Sequence, residues 1–349
     1  MRSREDRRTI IVARSHLAES QGHLLWAPWL SDQAMRRNYL LAFDGRRGTG
    51  VREHFFHFLW GYLLPAAHDI IELQSDCLSH PLENEFIFVS CGPVMDTKTA
   101  EMAGFLGVEY SIVRDEREAR KPGTTNLVVR RWDSFICDYA GYSRLRLGAA
   151  TLRLLRQAVK YRSIPPILWS KPRVVREIQH VRHTILAKVP PRDEATPFGD
   201  DPPCYYILKR SEEPVFYAPE GGRAERRTYG TSRRSLLGIE EAAVALSRQS
   251  HRVAVFEPGR HTLAEQIRTF RNCKGIIAIR GAELANIVWM NPTSKVIVIN
   301  AGKFHLSAPP AWGLAKLLGI RYIEIDWGED PYPRLGNELV QRISNHLAS

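Results

Sequence analysis

Residues 273–300 constrain the fold of this chain more than any other stretch. They read Cys-Lys-Gly-Ile-Ile-Ala-Ile-Arg-Gly-Ala-Glu-Leu-Ala-Asn-Ile-Val-Trp-Met-Asn-Pro-Thr-Ser-Lys-Val-Ile-Val-Ile-Asn. A short apolar run, Gly275 to Ile279, meets Arg280 and Gly281. A helical segment follows from Ala282 to Met290, Asn291-Pro292 ends it, and a second apolar run, Val296 to Ile299, begins. Two such runs flanking one helix make a βαβ unit with parallel strands. The glycine lets backbone approach whatever lies at the first strand's C-terminal edge. The helix start offers N–H groups and a positive dipole end that suit a phosphate. With the fixed cation of Arg280 beside them, Arg280, Gly281 and Ala282 are candidate phosphate ligands.

The rest of the second half repeats this alternation. Strands are expected at Tyr205–Lys209, Arg252–Phe256, Gly275–Ile279, Lys295–Ile299 and Arg321–Ile325. Helices are expected at Gly238–Arg248, Thr262–Asn272, Ala282–Met290 and Pro310–Leu318. That pattern is an α/β sandwich around a mainly parallel sheet. The first half is less regular. Strands are expected at Thr9–Ala13, Tyr39–Phe43, Ile70–Leu73, Glu85–Ser90, Glu109–Val113 and Asn126–Arg130. Helices are expected at Glu53–Leu64, Thr97–Phe105 and Ser143–Val159. Val189 to Pro203 holds five prolines and four acidic residues and reads as an exposed linker. The expected division is 1–188, a first α/β domain; 189–203, the linker; 204–333, a second α/β domain; and 334–349, an amphipathic C-terminal helix (Leu335–Leu347) that returns to the first.

A chain of 349 residues suits two domains, and 44% hydrophobic with 25% charged residues makes it globular. The apolar run at Thr9–Ala13 is too short for a signal segment or a membrane span. The five cysteines lack CxxC spacing and sit in or beside apolar runs. Buried free thiols are expected from them rather than a structural zinc site. The net charge of +11 predicts an anionic partner: a nucleotide diphosphate, an acidic glycan, an anionic lipid surface or nucleic acid.

Several side chains carry candidate chemistry. Arg210 closes the first strand of the second half, and cations at strand C-terminal ends point into the ligand crevice of an open α/β sheet. Arginine binds diphosphate bidentately, so Arg210 and Arg234 join Arg280 as candidate ligands. Both also belong to charge-rich stretches that read equally as solvated surface. His57, in the helical run Arg52–Pro65, either packs in an aromatic core or takes a proton, its unperturbed pKa lying near 6.5. Glu283, in the first turn after Gly281, stabilises a helix start, pairs with Arg280, or acts as a second candidate base. Thr262 and Glu265 form a capping box. No acidic pair stands at a strand end in a metal-binding setting, so no metal and no cofactor is expected. Arg280, Arg210 and the helix start would neutralise a leaving diphosphate instead.

The wording of these segments resembles glycosyltransferase family 61. Members carry an EQI segment, a strand, HGAxLxN, a helix, a Pro and a valine-rich strand. This chain has Glu265-Gln266-Ile267, then Arg280-Gly281-Ala282-Glu283-Leu284-Ala285-Asn286, then Met290-Asn291-Pro292, with Arg280 in place of His. Phe55-Phe56-His57-Phe58-Leu59 with Leu64-Pro65 is similar to the family's N-terminal-domain motif. An acid usually follows its His by a turn; here Trp60, Gly61 and Tyr62 stand there, and the spacing to Pro65 is one residue longer. The resemblance implies two Rossmann-like domains facing a cleft, the GT-B architecture. It implies transfer of a sugar, with inversion, from a nucleotide-diphosphate donor (a UDP-sugar) to a hydroxyl of a glycan, glycoconjugate or protein. His57 would then be the base, the second domain the donor site, and Gln266 and Asn286 contacts to the nucleotide. Members of the secretory pathway carry an N-terminal anchor, so a cytoplasmic enzyme is expected, with peripheral contact to an anionic membrane.

Two rival readings stand beside it. A non-catalytic polyanion- or nucleic-acid-binding protein would use the basic stretch Lys160–Lys188, although no RRM, KH or helix-turn-helix signature accompanies it. A degenerate transferase would keep nucleotide binding without turnover.

Overall fold

Two parallel sheets organise the chain in the computed structural model, which describes residues 37–43, 55–76, 84–120, 127–132, 171–189, 204–212, 231, 234–300, 310–328 and 330–349. The strand expected at Thr9–Ala13, the helix at Ser143–Val159 and nearly all of the expected linker lie outside these residues. The first sheet has the order β3-β2-β1-β4, from β1 (Arg37–Phe43), β2 (Asn84–Val89), β3 (Glu109–Val113) and β4 (Leu127–Trp132). The second has the order β6-β5-β7-β8-β9, from β5 (Tyr205–Leu208), β6 (Val253–Phe256), β7 (Gly275–Ile279), β8 (Lys295–Ile299) and β9 (Arg321–Ile325). Every pairing is parallel. The α/β expectation therefore holds.

The helices are α1 (Phe55–Phe58), a π-helical segment (Leu59–Leu63), α2 (Leu64–Asp76), α3 (Pro93–Leu106), α4 (Glu116–Ala119), α5 (Lys171–Lys188), α6 (Ile239–Arg248), α7 (Leu263–Asn272), a 3₁₀ helix (Ala282–Trp289), α8 (Pro310–Leu318) and α9 (Asn337–Ala348). In the second sheet, Ile207, Ile277, Ile279, Ile297 and Ile299 pack in one apolar cluster with residues of α6 and α9. Leu208, Ile276, Ala278, Val296 and Val298 pack in another, with α7, the 3₁₀ helix and α8. Both faces are covered, which is why β7 and, after Lys295, β8 are apolar rather than alternating. The second cluster also takes in Tyr39, Leu41, Phe86 and Phe88 of the first sheet, with α1 to α3 and α5. One apolar core thus joins the two halves.

Two expectations need correction. Ile70–Leu73 is helical, not a strand: it lies in α2, where Ala66, Ala67, Ile70 and Ile71 are buried at helical spacing. The apolar face of α9 packs on the second sheet rather than returning to the first; Leu339, Val340, Ile343 and Leu347 sit with Ile239 and Leu246 of α6. The helical segment expected after Gly281 is present, as a 3₁₀ helix. Eight residues is long for that form. The Ala285 carbonyl, which an α-helix would bond to the Trp289 N–H, instead accepts from the Trp60 indole at 2.9 Å.

The basic stretch weighed for nucleic acid is in part core. In α5, Ile178, Val181 and Ile185 are buried, and so is Arg182, which donates to the Met290 carbonyl at 2.9 Å. Lys188 Nζ donates to the Leu106 carbonyl. Among the described residues no helix is long and apolar enough to cross a membrane.

Candidate active site

Strand order decides where a ligand can sit. From β5 the chain moves to β6 on one side, then crosses to β7 on the other. The loops leaving β5 and β7 therefore diverge and open a crevice at their C-terminal ends, the usual ligand position in such sheets. Arg210 follows β5 by two residues; Arg280 and Gly281 follow β7 directly.

These residues are built into one unit. Arg210 is only 6% exposed. Its Nε donates to Glu283 Oε1 at 3.2 Å, and its Nη1 donates to the Arg234 carbonyl at 3.3 Å. Two of its five N–H donors are thus fixed on protein, setting the guanidinium plane. Glu283 Oε2 is buried and, among the described residues, accepts no hydrogen bond. A Cβ at Gly281 would overlap that oxygen and come within 3.4 Å of Arg210 Nε. Gly281 has extended backbone, so glycine is needed there for the close approach of the carboxylate. Glu283 pairs with Arg210. Arg280 is half-buried near Tyr322; burial pushes the Tyr322 hydroxyl's pKa up, Glu324 adds to the rise, and Arg280 opposes it.

Gln266 and Asn286 hold the scaffold. Gln266 Nε2 donates to the carbonyls of Pro258 and His261, at 2.7 and 3.0 Å, and its Oε1 accepts from Asn286 Nδ2 at 3.0 Å. Both side chains are almost fully buried. They tie the loop after β6 to the 3₁₀ helix. The Thr262–Glu265 capping box is present as expected at the start of α7.

His57 reaches this region through its helix. α1 packs against the 3₁₀ helix, and Trp60, one turn beyond His57, makes the bond to Ala285. His57 is half-buried, edge-on to Phe56. Burial lowers its pKa from the ordinary 6.5, which favours the neutral imidazole, the form a proton acceptor needs. Trp60 and Tyr62 are fully buried. The Tyr62 hydroxyl bridges β1 and β2, accepting from the Val89 N–H at 3.1 Å and lying 3.1 Å from the Leu41 carbonyl.

Sequence reasoning passed over Lys98. This buried lysine of α3 donates to the His261 carbonyl at 3.1 Å and stands 5.9 Å from the Phe55 ring centroid. Burial lowers its pKa against the opposing fields of Glu101 and Glu265. It joins the EQI loop to the His57 helix. Its only sequence signal is a lysine on an otherwise apolar helical face.

The arrangement offers fixed cations and main-chain N–H groups at a sheet edge, with an imidazole on a helix docked alongside. In comparison with known proteins, the family model described as Glycosyltransferase 61 matches residues 55–297. No curated protein matches the chain.

Proposed function

Because this chain belongs to the glycosyltransferase 61 family, we propose that it moves a sugar from a nucleoside-diphosphate donor, a UDP-sugar, to a hydroxyl of a glycan, glycoconjugate or protein, with inversion. The observation that carries this reading is the buried Arg210–Glu283 pair closed over Gly281 at the β5/β7 crevice. Arg210 and Arg280 bind the diphosphate, with Arg234 beside them and the N–H groups after Gly281, including that of Ala282, facing its oxygens. Gln266 and Asn286 position the loops of the nucleotide site. The two sheets are the acceptor and donor halves of a GT-B arrangement.

In the transfer step the acceptor oxygen forms its bond to the anomeric carbon from the face opposite the diphosphate. The anomeric C–O bond breaks toward the nucleotide, and His57 Nδ1 or Nε2 takes the acceptor's proton. The negative charge gathering on the leaving diphosphate is met by Arg210 and Arg280 without a divalent ion. Glu283 serves as the positioning residue for Arg210 and as the second candidate base. Cytoplasmic action, with peripheral contact to an anionic membrane, fits the charge of +11.

The deciding experiment is a thermal-shift panel of UDP, GDP, CDP and their sugars, followed by calorimetry. A rise in melting temperature with a uridine nucleotide, and none with unrelated anions, supports the reading. A shift with bulk RNA that salt abolishes, with no response to any nucleotide, would overturn it in favour of polyanion binding.

A further inference from the structure

A second cluster of chemistry lies between two helices of the first half. His68 and Glu72 are four residues apart on α2; Glu177 and His180 are three apart on α5. Both spacings put the pair on one helix face, and α2 packs against α5. His68 Nε2 lies 3.0 Å from Glu177 Oε2, and His180 Nε2 lies 3.9 Å from Glu72 Oε1. His68, Glu72 and Glu177 each offer a donor atom within 4.8 Å of the others.

We propose that His68, Glu72, Glu177 and His180 form a zinc-type divalent cation site that braces α2 to α5. Zinc in a four-coordinate site bonds nitrogen and oxygen at about 2.0–2.2 Å, which separates neighbouring donor atoms by about 3.3 Å. The 3.0 Å contact needs only a slight opening. The wider separations close by rotation of Glu72 and His180, whose side chains are half-exposed and able to swing. Two imidazoles and two carboxylates suit zinc. The orientation of His68 supports the same role from a separate direction: Asp69 Oδ1 lies 3.6 Å from its Nδ1, directing the opposite nitrogen, Nε2, toward the cluster. Metal-bound histidines are commonly held this way by a carboxylate on the other ring nitrogen. α5 also supplies Arg182 to the Met290 carbonyl. A cation here would therefore stiffen the support of the 3₁₀ helix without touching a reacting atom, and the inference does not depend on the transfer reading.

The test uses the full chain, stripped with EDTA and dialysed, titrated with zinc by calorimetry and with cobalt by absorption. One equivalent of zinc should bind and raise the melting temperature by a few degrees. Cobalt should give tetrahedral visible bands without the near-ultraviolet thiolate band that cysteine ligation produces. Glu177→Gln and the partly exposed His180→Phe, checked for folding by circular dichroism, should each weaken zinc binding at least tenfold, on the order of the loss for shell residues. Three outcomes would overturn the proposal: no saturable zinc uptake, uptake unchanged in both variants, or a thiolate band with cobalt.

Discussion

The Trp60 indole N–H donates to the Ala285 carbonyl at 2.9 Å across 225 residues of chain. Both residues are fully buried, so neither group has water to fall back on. This one bond docks the helix of His57 on the helix that follows Gly281. Trp60→Phe keeps an aromatic ring but leaves the carbonyl unpaired. It should lower stability by about 1–3 kcal/mol, read by urea denaturation, the range for a buried acceptor that loses its partner. An unchanged midpoint would show that the contact is dispensable.

Nucleotide binding should respond to the crevice cations. Arg280→Ala is expected to weaken UDP by about 1–3 kcal/mol in calorimetry, the loss of a charge-assisted hydrogen bond. Glu283→Gln keeps the shape of the side chain but loosens Arg210, and should weaken the nucleotide while leaving the fold intact. If UDP affinity is indifferent to both changes, the diphosphate lies elsewhere.

Turnover should depend on His57. General-base loss costs about 10²–10⁴ in rate, so His57→Ala should lower kcat by that order with UDP affinity and melting temperature nearly unchanged. Burial lowers the His57 pKa, so the neutral base persists to a pH below the ordinary 6.5. The acid limb of the rate profile should accordingly fall below that value. A sharp loss of melting temperature with nucleotide binding abolished would mark His57 as core, and Glu283 would become the base to test.

Transfer should survive EDTA when assayed well below the melting temperature, because arginines meet the leaving charge. Loss of activity that manganese restores would assign that work to a metal.

Cys273 gives an independent check on the core. Burial pushes its thiol up to about 12, with the nearby Cys204 adding to the rise. A raised thiol pKa means less thiolate at any working pH, and thiolate is the reacting form. At pH 8 the folded protein should leave Cys273 unalkylated by iodoacetamide while denatured chain reacts, as peptide mapping would show.

Much of the second half is legible in its residues. Gly275–Ile279 and Val296–Ile299 are apolar on both faces, which a strand covered by two helix layers requires, and Thr262 with Glu265 states its cap outright. Ile70–Leu73 misleads because a four-residue apolar run satisfies strand and helix alike; Ala66 and Ala67, one turn earlier, are what identify the helix. The Ala285 carbonyl finds its partner in Trp60, and the Arg210 guanidinium in Glu283. These partners are remote in sequence, so no local pattern announces them. The same holds for the His68–Glu177 contact, whose members are 109 positions apart.

The π-helical segment Leu59–Leu63 has a further consequence. Its closing bond runs from the Leu64 N–H to the Leu59 carbonyl, one residue longer than an α-turn. It lies just before Pro65, whose ring would crowd the Gly61 carbonyl in a regular helix. One residue of helix is about 100° of rotation. The wide turn therefore offsets α1, which carries His57, from the direction a regular helix would give it relative to α2. Deleting one residue of the turn would leave His57 in the chain but rotate the imidazole away from its present direction.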